Sequence, residues 1–495
     1  MKPYDRRSTE ERIELEAMMG ASVFVPTKHV IRIDRKSHVG LFHTIFSSTH
    51  VLPKINAEIF DNLNDSITLA GVDRLAKARR VSRSSLRAFV SYLVRNNLLV
   101  PAGCGSEAAY VRNVQERYKE KSLREPRSLR HVYLMLTSNC NLSCRYCIVR
   151  SKQYLSQVKR RVMTTSLAKS AIDFLCRKSF FQDDGGIALD FFGGEPLLEK
   201  ELLRNCAEYI QLHSHTRKLF WSKPNRMALS TNGWLIDDEF VELCRRHRIG
   251  VSASLDGFER EQGMMRPNRN PSAKYRELIS RFHKLERAGV MNGFAVCISK
   301  GNLDRMPDFI RWLAKTFSTR SILLSHLKAS SNPCALEQSV SPAGHKEKYD
   351  EIYAAVKETG FEAADYQSFY DSLKKAKPRY CCCGVNGAAA LIDPDGYAYP
   401  CPGLVGSKER VRFDPAGDFT CSALYRKWSM VTPWTISSCF KKCGIFSVCG
   451  GKCAAHHLAM KNHESAQLDL WCDVNKDLFH RALSNFVDDI WNETE

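Results

Sequence analysis

The chain has 495 residues and a mass of 56.3 kDa, which is too long for one small hydrophobic core and predicts two or three domains. It is 44% hydrophobic and 26% charged. With no apolar signal region near the N-terminus and no apolar run of about 20 residues, it is predicted to be cytoplasmic, with no membrane partner. The net charge of +19 suits an acidic partner (a peptide, a redox protein or a nucleic acid), although a solvated basic surface explains it as well.

The chain contains 19 cysteines, a high number for a protein of the reducing cytoplasm. Reducing conditions and the odd count both argue against a disulfide framework. The clustered spacing instead indicates ligation of a metal ion or a metal cluster. Seven cysteines are isolated and are predicted to pack in the interior; they are Cys104, Cys176, Cys206, Cys244, Cys297, Cys334 and Cys421.

The first predicted domain covers residues 1–122. HVIRID (29–34) alternates as a β-strand, and the stretch from Arg80 to Val100 predicts an amphipathic helix that runs into a strand, with Ser82 or Ser84 as its N-cap. This order predicts a winged-helix-like module. The polar segment KEKSLREPRS (119–128) contains a proline and is predicted to be a linker.

The second predicted domain covers residues 131–330 and alternates apolar strands with amphipathic helices. Six such units predict an α/β fold in which a parallel sheet curls into a partial (βα)6 barrel. Chemistry in such folds lies at the carboxyl ends of the strands. The strand-like runs are HVYLMLTSN (131–139), GIALDFFGG (186–194), MALSTNG (227–233), GVSASLDG (250–257), GFAVCISKG (293–301) and SILLSHLK (321–328).

Three further segments complete the chain. Residues 331–378 are predicted to be a bridging helical segment, residues 379–475 a cysteine-rich domain, and residues 476–495 a C-terminal helix.

The stretch TSNCNLSCRYCIVR (137–150) places Cys140, Cys144 and Cys147 at a carboxyl strand end. Zinc sites usually need four ligands, whereas three thiolates can hold a 4Fe-4S cluster and leave one iron open. The CxxxCxxC spacing after the first strand resembles the radical SAM superfamily. A structural zinc loop is the alternative.

The resemblance implies a set of contacts to S-adenosylmethionine (SAM). Tyr146 would lie beside the adenine, and the glycines of FFGGEP would bring the backbone close to the SAM amino group, whose acceptor would be Glu195. STNG resembles a polar turn near the cofactor, and Ser254 of SLDG and Arg266 would contact the SAM ribose or carboxylate. The residues concerned are Tyr146, Gly193, Gly194, Glu195, Ser230, Asn232, Ser254 and Arg266.

The second cysteine field resembles the SPASM extension of radical SAM enzymes, which carries two auxiliary 4Fe-4S clusters. The resemblance implies three clusters in all. One auxiliary cluster would use Cys383, Cys401, Cys453 and either Cys381 or Cys382. The other would use Cys439, Cys443, Cys449 and Cys472. A zinc ribbon is the alternative for the later cysteines.

The sequence departs from that pattern at three points. Three residues, not two, separate Cys439 from Cys443, and the fourth ligand to the first auxiliary cluster has only adjacent cysteines as candidates. Sulfatase-maturing members carry an aspartate base where this chain has Pro402, which argues against formylglycine formation.

The resemblance implies that reductive cleavage of SAM yields a 5′-deoxyadenosyl radical, which removes hydrogen from a substrate carbon. A winged-helix-like module before such a core resembles the precursor-recognition element of enzymes that modify ribosomal peptides, which take the leader peptide as an added strand. The predicted function is a maturase that installs a carbon–carbon (cyclophane) or thioether cross-link. HVIRID is the candidate leader-binding edge, and a flavodoxin or ferredoxin-type protein is the expected reductant.

Alternatives stay open at this stage. In the first alternative, the substrate is a full-size protein subunit. In the second, the N-terminal domain merely packs on the core. In a third the chain is an iron–sulfur electron carrier or a zinc-dependent nucleic-acid-binding protein, but its basic residues are not concentrated in the cysteine-rich part. The catalytic base is not identified; Asp190, Asp393 and Asp395 are candidates, each with a structural explanation.

Overall fold

The structure is a computed structural model of the chain. It describes the following residues: 23–63, 69–102, 107–124, 129–150, 152–156, 159, 161–178, 187–221, 226–270, 272–327, 337–340, 342–379, 389–451 and 466–494. Among them, no helix has both the length and the apolar character needed to cross a bilayer.

A ten-stranded sheet forms the centre of the molecule. Its strands are β6 (His131–Thr137), β7 (Ala188–Gly193), β8 (Met227–Thr231), β9 (Ile249–Ser254), β10 (Met291–Ile298), β11 (Ser321–His326), β12 (Glu362–Ala363), β13 (Ala389–Ile392), β14 (Tyr397–Tyr399) and β15 (Val411–Arg412). Their spatial order is β12-β11-β10-β9-β8-β7-β6-β13-β14-β15. All pairs from β12 to β13 are parallel, and only the β13-β14 and β14-β15 pairs are antiparallel. The mostly parallel sheet confirms the predicted α/β class.

Helices cover one face of this sheet. They are α6 (Thr165–Lys178), α7 (Lys200–Leu212), α8 (Ser214–Trp221), α9 (Asp238–His247), α10 (Glu259–Met265), α11 (Tyr275–Arg287) and α12 (Met306–Thr316); a short helix α5 (Lys152–Leu155) precedes them. Val132 and Leu134 of β6 and Leu189 and Phe191 of β7 are fully buried in the apolar core that these strands share with the helices. Each such side chain contributes about 1.5–3 kcal/mol through burial. Because side chains alternate along a strand, the residues between them face the opposite side of the sheet.

The described residues of the N-terminal part, from residue 23 onwards, form two small antiparallel sheets and four helices. The elements are β1 (Phe24–Pro26), β2 (Val30–Asp34), β3 (His38–His43), β4 (Ser48–Pro53), α1 (Lys54–Asp61), α2 (Leu69–Arg79), α3 (Arg83–Arg95), β5 (Leu99–Pro101) and α4 (Glu107–Arg124). Strand β1 pairs with β5, and β3 lies between β2 and β4. The HVIRID strand is therefore an edge strand. Ser82 caps α3, because its side chain accepts a hydrogen bond from the backbone N–H of Ser85.

The remaining helices lie towards the C-terminus. They are α13 (Pro342–Thr359), α14 (Ala364–Lys375), α15 (Ala423–Ser429), α16 (Ser437–Lys442), α17 (Phe446–Cys449) and α18 (Ala466–Asn492).

Two predicted boundaries differ from the structure. Residues 119–124 of the predicted linker continue helix α4, because Lys, Glu, Leu and Arg favour helix. The predicted bridging helical segment also contributes the short strand β12, and strand β13 of the cysteine-rich region pairs with β6 of the central sheet. The C-terminal helix begins at Ala466, ten residues before the predicted boundary, and carries Cys472.

The three-stranded N-terminal sheet packs against helix α18. A Cβ atom at Gly40 of β3 would lie 2.3 Å from a methyl carbon of Val487, so glycine is what allows this close approach. Arg35 forms an ion pair of 2.7 Å with Asp488, and the ring of His38 stacks on Trp491 at 4.6 Å. One helix thus holds the N-terminal sheet and also carries one of the predicted cluster cysteines.

His43 gives the N-terminal part a predicted pH dependence. It is buried, its Nε2 lies 3.2 Å from the carbonyl oxygen of Asn97, and its Nδ1 accepts from the backbone N–H of Ile45. Burial lowers the pKa of His43 to about 3. Because the unfolded histidine titrates near 6.5, the folded state loses stability as the pH falls from 6.5 towards 3, by about 2 kcal/mol at pH 5. A glutamine side chain at this position could still donate to the Asn97 carbonyl but could not bind a proton.

We therefore expect His43→Gln to reduce the loss of stability between pH 7 and pH 5. Denaturant unfolding of both proteins at the two pH values measures this difference, in which the contributions of all other groups cancel. An identical pH dependence in the two proteins would show that His43 does not exclude the proton.

Candidate active site

The loop with Cys140, Cys144 and Cys147 follows strand β6 directly, at the carboxyl end of the parallel strands. All three cysteines are half-buried. The backbone N–H of Arg145 donates to the carbonyl oxygen of Met265, and that of Ser143 donates to the carbonyl oxygen of Pro267. Both distances are 3.0 Å. The loop is therefore held by the segment that follows helix α10.

Burial raises the pKa of the Cys140 thiol and raises that of Cys144 to about 12. Such thiols stay protonated at neutral pH unless a metal displaces the proton. In the described part of the chain, no three His, Cys, Asp or Glu side chains form a group that could hold a metal ion. A 4Fe-4S cluster does not require the thiolates to converge on one ion, because each of them binds a different iron.

The two glycines of FFGGEP let the end of β7 contact the cysteine loop. A Cβ atom at Gly194 would lie 2.1 Å from the carbonyl oxygen of Asn139, and one at Gly193 would lie 2.2 Å from that of Thr137. Both neighbours are backbone atoms and cannot move away cheaply. Gly193 also has a φ of 149°, which favours glycine. The glycines thus serve the contact between two loops, a role that the sequence pattern did not suggest.

Glu195 joins three loops through its buried carboxylate. It accepts hydrogen bonds from the hydroxyl of Thr231 and the backbone N–H of Asn232, both at 2.8 Å, and from the backbone N–H of Leu197 at 3.1 Å. Burial raises the pKa of Glu195, and these hydrogen bonds act in the opposite direction. A carboxylate has about four acceptor sites, so one remains for a further donor.

Asn232 connects the STNG turn with the cysteine loop. Its side-chain amide donates to the Asn141 side chain at 2.8 Å and lies 3.8 Å from the sulfur of Cys140. Ser230 is exposed at the end of β8, and Ser254 is half-buried at the end of β9. Strands β8 and β9 are neighbours, so the structure places both serines at the same edge of the sheet as the cysteine loop.

Tyr146, Arg266 and Asp256 form a buried hydrogen-bonded group next to the three cysteines. The Tyr146 hydroxyl donates to Asp256 and accepts from Nη1 of Arg266 at 3.0 Å. The guanidinium lies 3.8 Å from the Asp256 carboxylate. Within the described residues, Nε of Arg266 is buried without a hydrogen-bond partner. Such a donor fits an anionic group of a ligand, because an unsatisfied buried N–H is costly.

The three candidate bases lie in different surroundings. Asp190 lies on the face of β7 opposite the helices and hydrogen-bonds His131, and the two side chains are 23% and 37% exposed. Burial raises the pKa of Asp393 to about 6, but its carboxylate accepts from the backbone of Tyr397 and so stabilises the β13-β14 hairpin. Asp395 accepts from the backbone N–H of Lys159 at 2.8 Å. Of the three, Asp190 is the one that hydrogen-bonds a histidine on the face of the sheet opposite the helices.

Four of the later cysteines lie close to one another. The pKa of Cys449 is raised to about 12, first by burial and then by the nearby thiols of Cys443, Cys472 and Cys439. The Cys401 sulfur accepts from the backbone N–H of Gly403 at 3.3 Å, at the start of a 3₁₀ turn. The predicted ligands Cys381, Cys382, Cys383 and Cys453 lie outside the described residues.

Among the isolated cysteines, the packing prediction holds for Cys176, Cys206 and Cys244, which are buried. It is wrong for Cys421, which is exposed next to Asp418. Cys297 is half-buried, while Cys104 and Cys334 are not among the described residues.

The candidate site thus consists of a three-cysteine loop and a hydrogen-bonded glutamate at the carboxyl edge of a mostly parallel sheet. Comparison with protein families identifies the class to which such a site belongs, because residues 134–313 match the radical SAM superfamily. The chain therefore contains a radical SAM domain, as the cysteine spacing predicted.

Known proteins similar to the chain include maturation enzymes. The radical SAM cyclopropyl synthase TigE of Paramaledivibacter caminithermalis is 22% identical over 88% of this chain and 90% of its own length. The cysteine-type anaerobic sulfatase-maturating enzyme of Clostridium perfringens is 21% identical over 71% of this chain and 95% of its own. The structure of native anSMEcpe with bound AdoMet has the same fold, with a TM-score of 0.57 and 17% identity over 72% of this chain and 98% of that chain.

Proposed function

We propose that the protein is a radical SAM maturase that oxidises a side chain of a ribosomal precursor peptide and installs an intramolecular cross-link. The observation that carries this proposal is the arrangement of Cys140, Cys144 and Cys147 beside Glu195 and Arg266 at the carboxyl edge of a parallel sheet. Sequence similarity to maturation enzymes supports a polypeptide as the substrate. A precursor peptide contains the unactivated carbon–hydrogen bonds for which such chemistry is needed.

The residues of the candidate site fit a 4Fe-4S cluster with bound SAM. The three thiols would hold a 4Fe-4S cluster with one open iron. The acceptor site left on Glu195 suits the ammonium of SAM, and the unpartnered Nε of Arg266 suits its carboxylate. When bound, the cluster and SAM supply a 5′-deoxyadenosyl radical that removes a hydrogen atom from the substrate. Tyr146 and the serines Ser230 and Ser254 would complete the site.

The cysteine-rich region would hold two auxiliary clusters. Cys439, Cys443, Cys449 and Cys472 are the proposed ligands of one, supported by the mutual effect of their thiols. The proposed ligands of the other auxiliary cluster are Cys383, Cys401, Cys453 and either Cys381 or Cys382. Cross-linking removes two electrons from the peptide. One leaves with the hydrogen atom that the radical removes, and an auxiliary cluster would accept the second electron. A flavodoxin or ferredoxin-type protein would supply electrons to the first cluster.

The N-terminal part would recognise the leader of the peptide. Strand β2 pairs with β3 on one side, and no other described strand pairs with its second side. An extended peptide would hydrogen-bond to that edge as an additional strand. Arg32 on β2 is already paired with Asp61 at 2.7 Å, so the backbone edge rather than this charge would provide the main contact.

His131, with Asp190 as its partner, is the proposed proton acceptor on the face of the sheet opposite the helices. The cross-link forms when the substrate loses one hydrogen atom to the radical, one electron to an auxiliary cluster and one proton to a base. A histidine whose ring is held by a hydrogen bond to a carboxylate is a suitable general base for that proton. His131 begins strand β6, so the pair lies towards the amino end of the parallel strands and would act on a substrate that extends along the face away from the helices, from the carboxyl edge where the cysteine loop lies.

We expect Asp190→Asn to separate the two halves of the reaction. The variant should still cleave SAM to 5′-deoxyadenosine but form at least about tenfold less cross-linked product, because the base loses its partner. His131→Gln should behave in the same way. Mass spectrometry of the peptide and chromatography of deoxyadenosine measure both outputs. An equal loss of both would show that Asp190 supports the fold or SAM binding instead.

The proposed function is tested with the reconstituted protein, SAM, dithionite and a candidate precursor peptide encoded beside this chain. The expected product is lighter than the peptide by two hydrogen atoms, and removal of the leader should reduce its formation. If free peptides stay unchanged while a full-size protein subunit is modified, the substrate class proposed here is wrong.

A further inference from the structure

Asp256 is the aspartate of SLDG and occupies the turn after strand β9. Its side chain is fully buried. One carboxylate oxygen accepts from the backbone N–H of Cys297 on β10 at 2.9 Å, and the other accepts from the Tyr146 hydroxyl. Asp256 therefore touches the cysteine loop, the neighbouring strand and, at 3.8 Å, the guanidinium of Arg266.

The backbone of Asp256 is also fixed on both sides. Its N–H donates to the side chain of Gln262 at 2.8 Å, and its carbonyl oxygen accepts from the side chain of Asn302 at 2.6 Å. Asn302 in turn accepts from the backbone N–H of Ser299 at 2.8 Å. These contacts join β9, α10 and the loop after β10, so the carboxylate has little freedom to move.

This arrangement controls which atoms of Arg266 remain available. Nη1 donates to Tyr146, whose own hydroxyl hydrogen goes to Asp256, so the aspartate decides the direction of both hydrogen bonds. At 3.8 Å the aspartate does not form a normal hydrogen bond with the guanidinium, and Nε stays buried without a partner among the described residues. Arg266 is only 12% exposed, so water does not readily satisfy that donor.

We propose that Asp256 is a positioning residue for SAM binding. It aligns Tyr146 next to Cys147 and holds Arg266 in an orientation that keeps Nε available for the SAM carboxylate. The proposal rests on the proposed function, because it assumes that SAM binds beside the three cysteines. Asp256 itself does not contact SAM in this account and acts through its two neighbours.

The test measures the Kd of SAM for the reconstituted protein with an oxidised cluster, by equilibrium dialysis, so that no turnover is needed. Asp256→Asn keeps the shape of the side chain but removes its charge and the acceptor that orders Tyr146. We expect SAM affinity to fall about tenfold with the iron content unchanged. Tyr146→Phe, which leaves the buried Asp256 and Arg266 in place, should cause a smaller loss.

A double-mutant cycle separates positioning from a general effect on the fold. Arg266→Gln removes the group on which Asp256 acts, so adding Asp256→Asn to it should cause little further loss of SAM affinity. If the double variant loses SAM affinity by the product of the two single losses, Asp256 does not act through Arg266 and is only a structural residue. The same conclusion follows if Asp256→Asn also clearly lowers the iron content or the thermal midpoint of the protein. If the unmodified protein does not bind SAM, the proposed function itself fails, and that outcome is distinct from both.

Discussion

Replacing Cys144 with alanine is expected to remove the SAM-binding cluster and to abolish formation of 5′-deoxyadenosine. In the proposed assignment each of the three thiols of the loop would hold a separate iron, so the two that remain would not retain the cluster. The variant should contain about four irons fewer than the unmodified protein. Deoxyadenosine formation should fall at least about 1,000-fold, because the open iron is lost with the cluster.

Cys421→Ser is the matched control, since Cys421 is exposed and belongs to none of the three proposed ligand sets. It should keep its full iron content and full SAM cleavage. Iron and sulfide assays with chromatography of the nucleoside products measure both variants. Retention of all irons in Cys144→Ala would contradict the proposed ligand set.

Gly194→Ala is expected to have the second largest effect, although it adds only one methyl group. That group would lie 2.1 Å from the carbonyl oxygen of Asn139 and 2.9 Å from that of Ser138, so the β7 loop and the cysteine loop must move apart. Glu195 follows directly and would be displaced with its three hydrogen bonds. We expect SAM affinity to fall at least about 100-fold, with a loss of stability of about 3 kcal/mol from overpacking.

Gly263→Ala provides the control for this change. Gly263 lies in helix α10, and a Cβ atom there has no neighbour within 4 Å. Because alanine favours helix over glycine, this variant should be as stable as the unmodified protein or more stable by up to about 1 kcal/mol. SAM binding and thermal unfolding of both variants test the comparison. Equal behaviour of the two would mean that the close approach at Gly194 is not required.

The central sheet was predictable because one face of its strands is buried in the apolar core, which gives short segments rich in apolar residues between helical patterns. Each of the six predicted runs overlaps an observed strand, with ends that differ by at most three residues. The cysteine loop was predictable for another reason, since all its members lie within eight residues of one another. Local patterns of this kind need no knowledge of the tertiary structure.

The partners that come from distant parts of the chain were not predictable in this way. Asp256 lies 110 residues from Tyr146, and His131 lies 59 residues from Asp190. Nothing in the local sequence indicates which of the many aspartates meets which partner, although Asp256 belongs to the SLDG motif and so carried a signal. The short strand β12 was missed because two residues are too few to show a period.

Iron content combined with SAM cleavage tests the central claim most directly. The protein is reconstituted anaerobically, its iron and sulfide are counted, and dithionite and SAM are added before the nucleosides are analysed. About twelve irons per chain together with 5′-deoxyadenosine are the result predicted for three 4Fe-4S clusters, one of which reduces SAM. Zinc in place of iron, with SAM left intact, would contradict the account and leave the Cys140–Cys147 loop as a structural metal site.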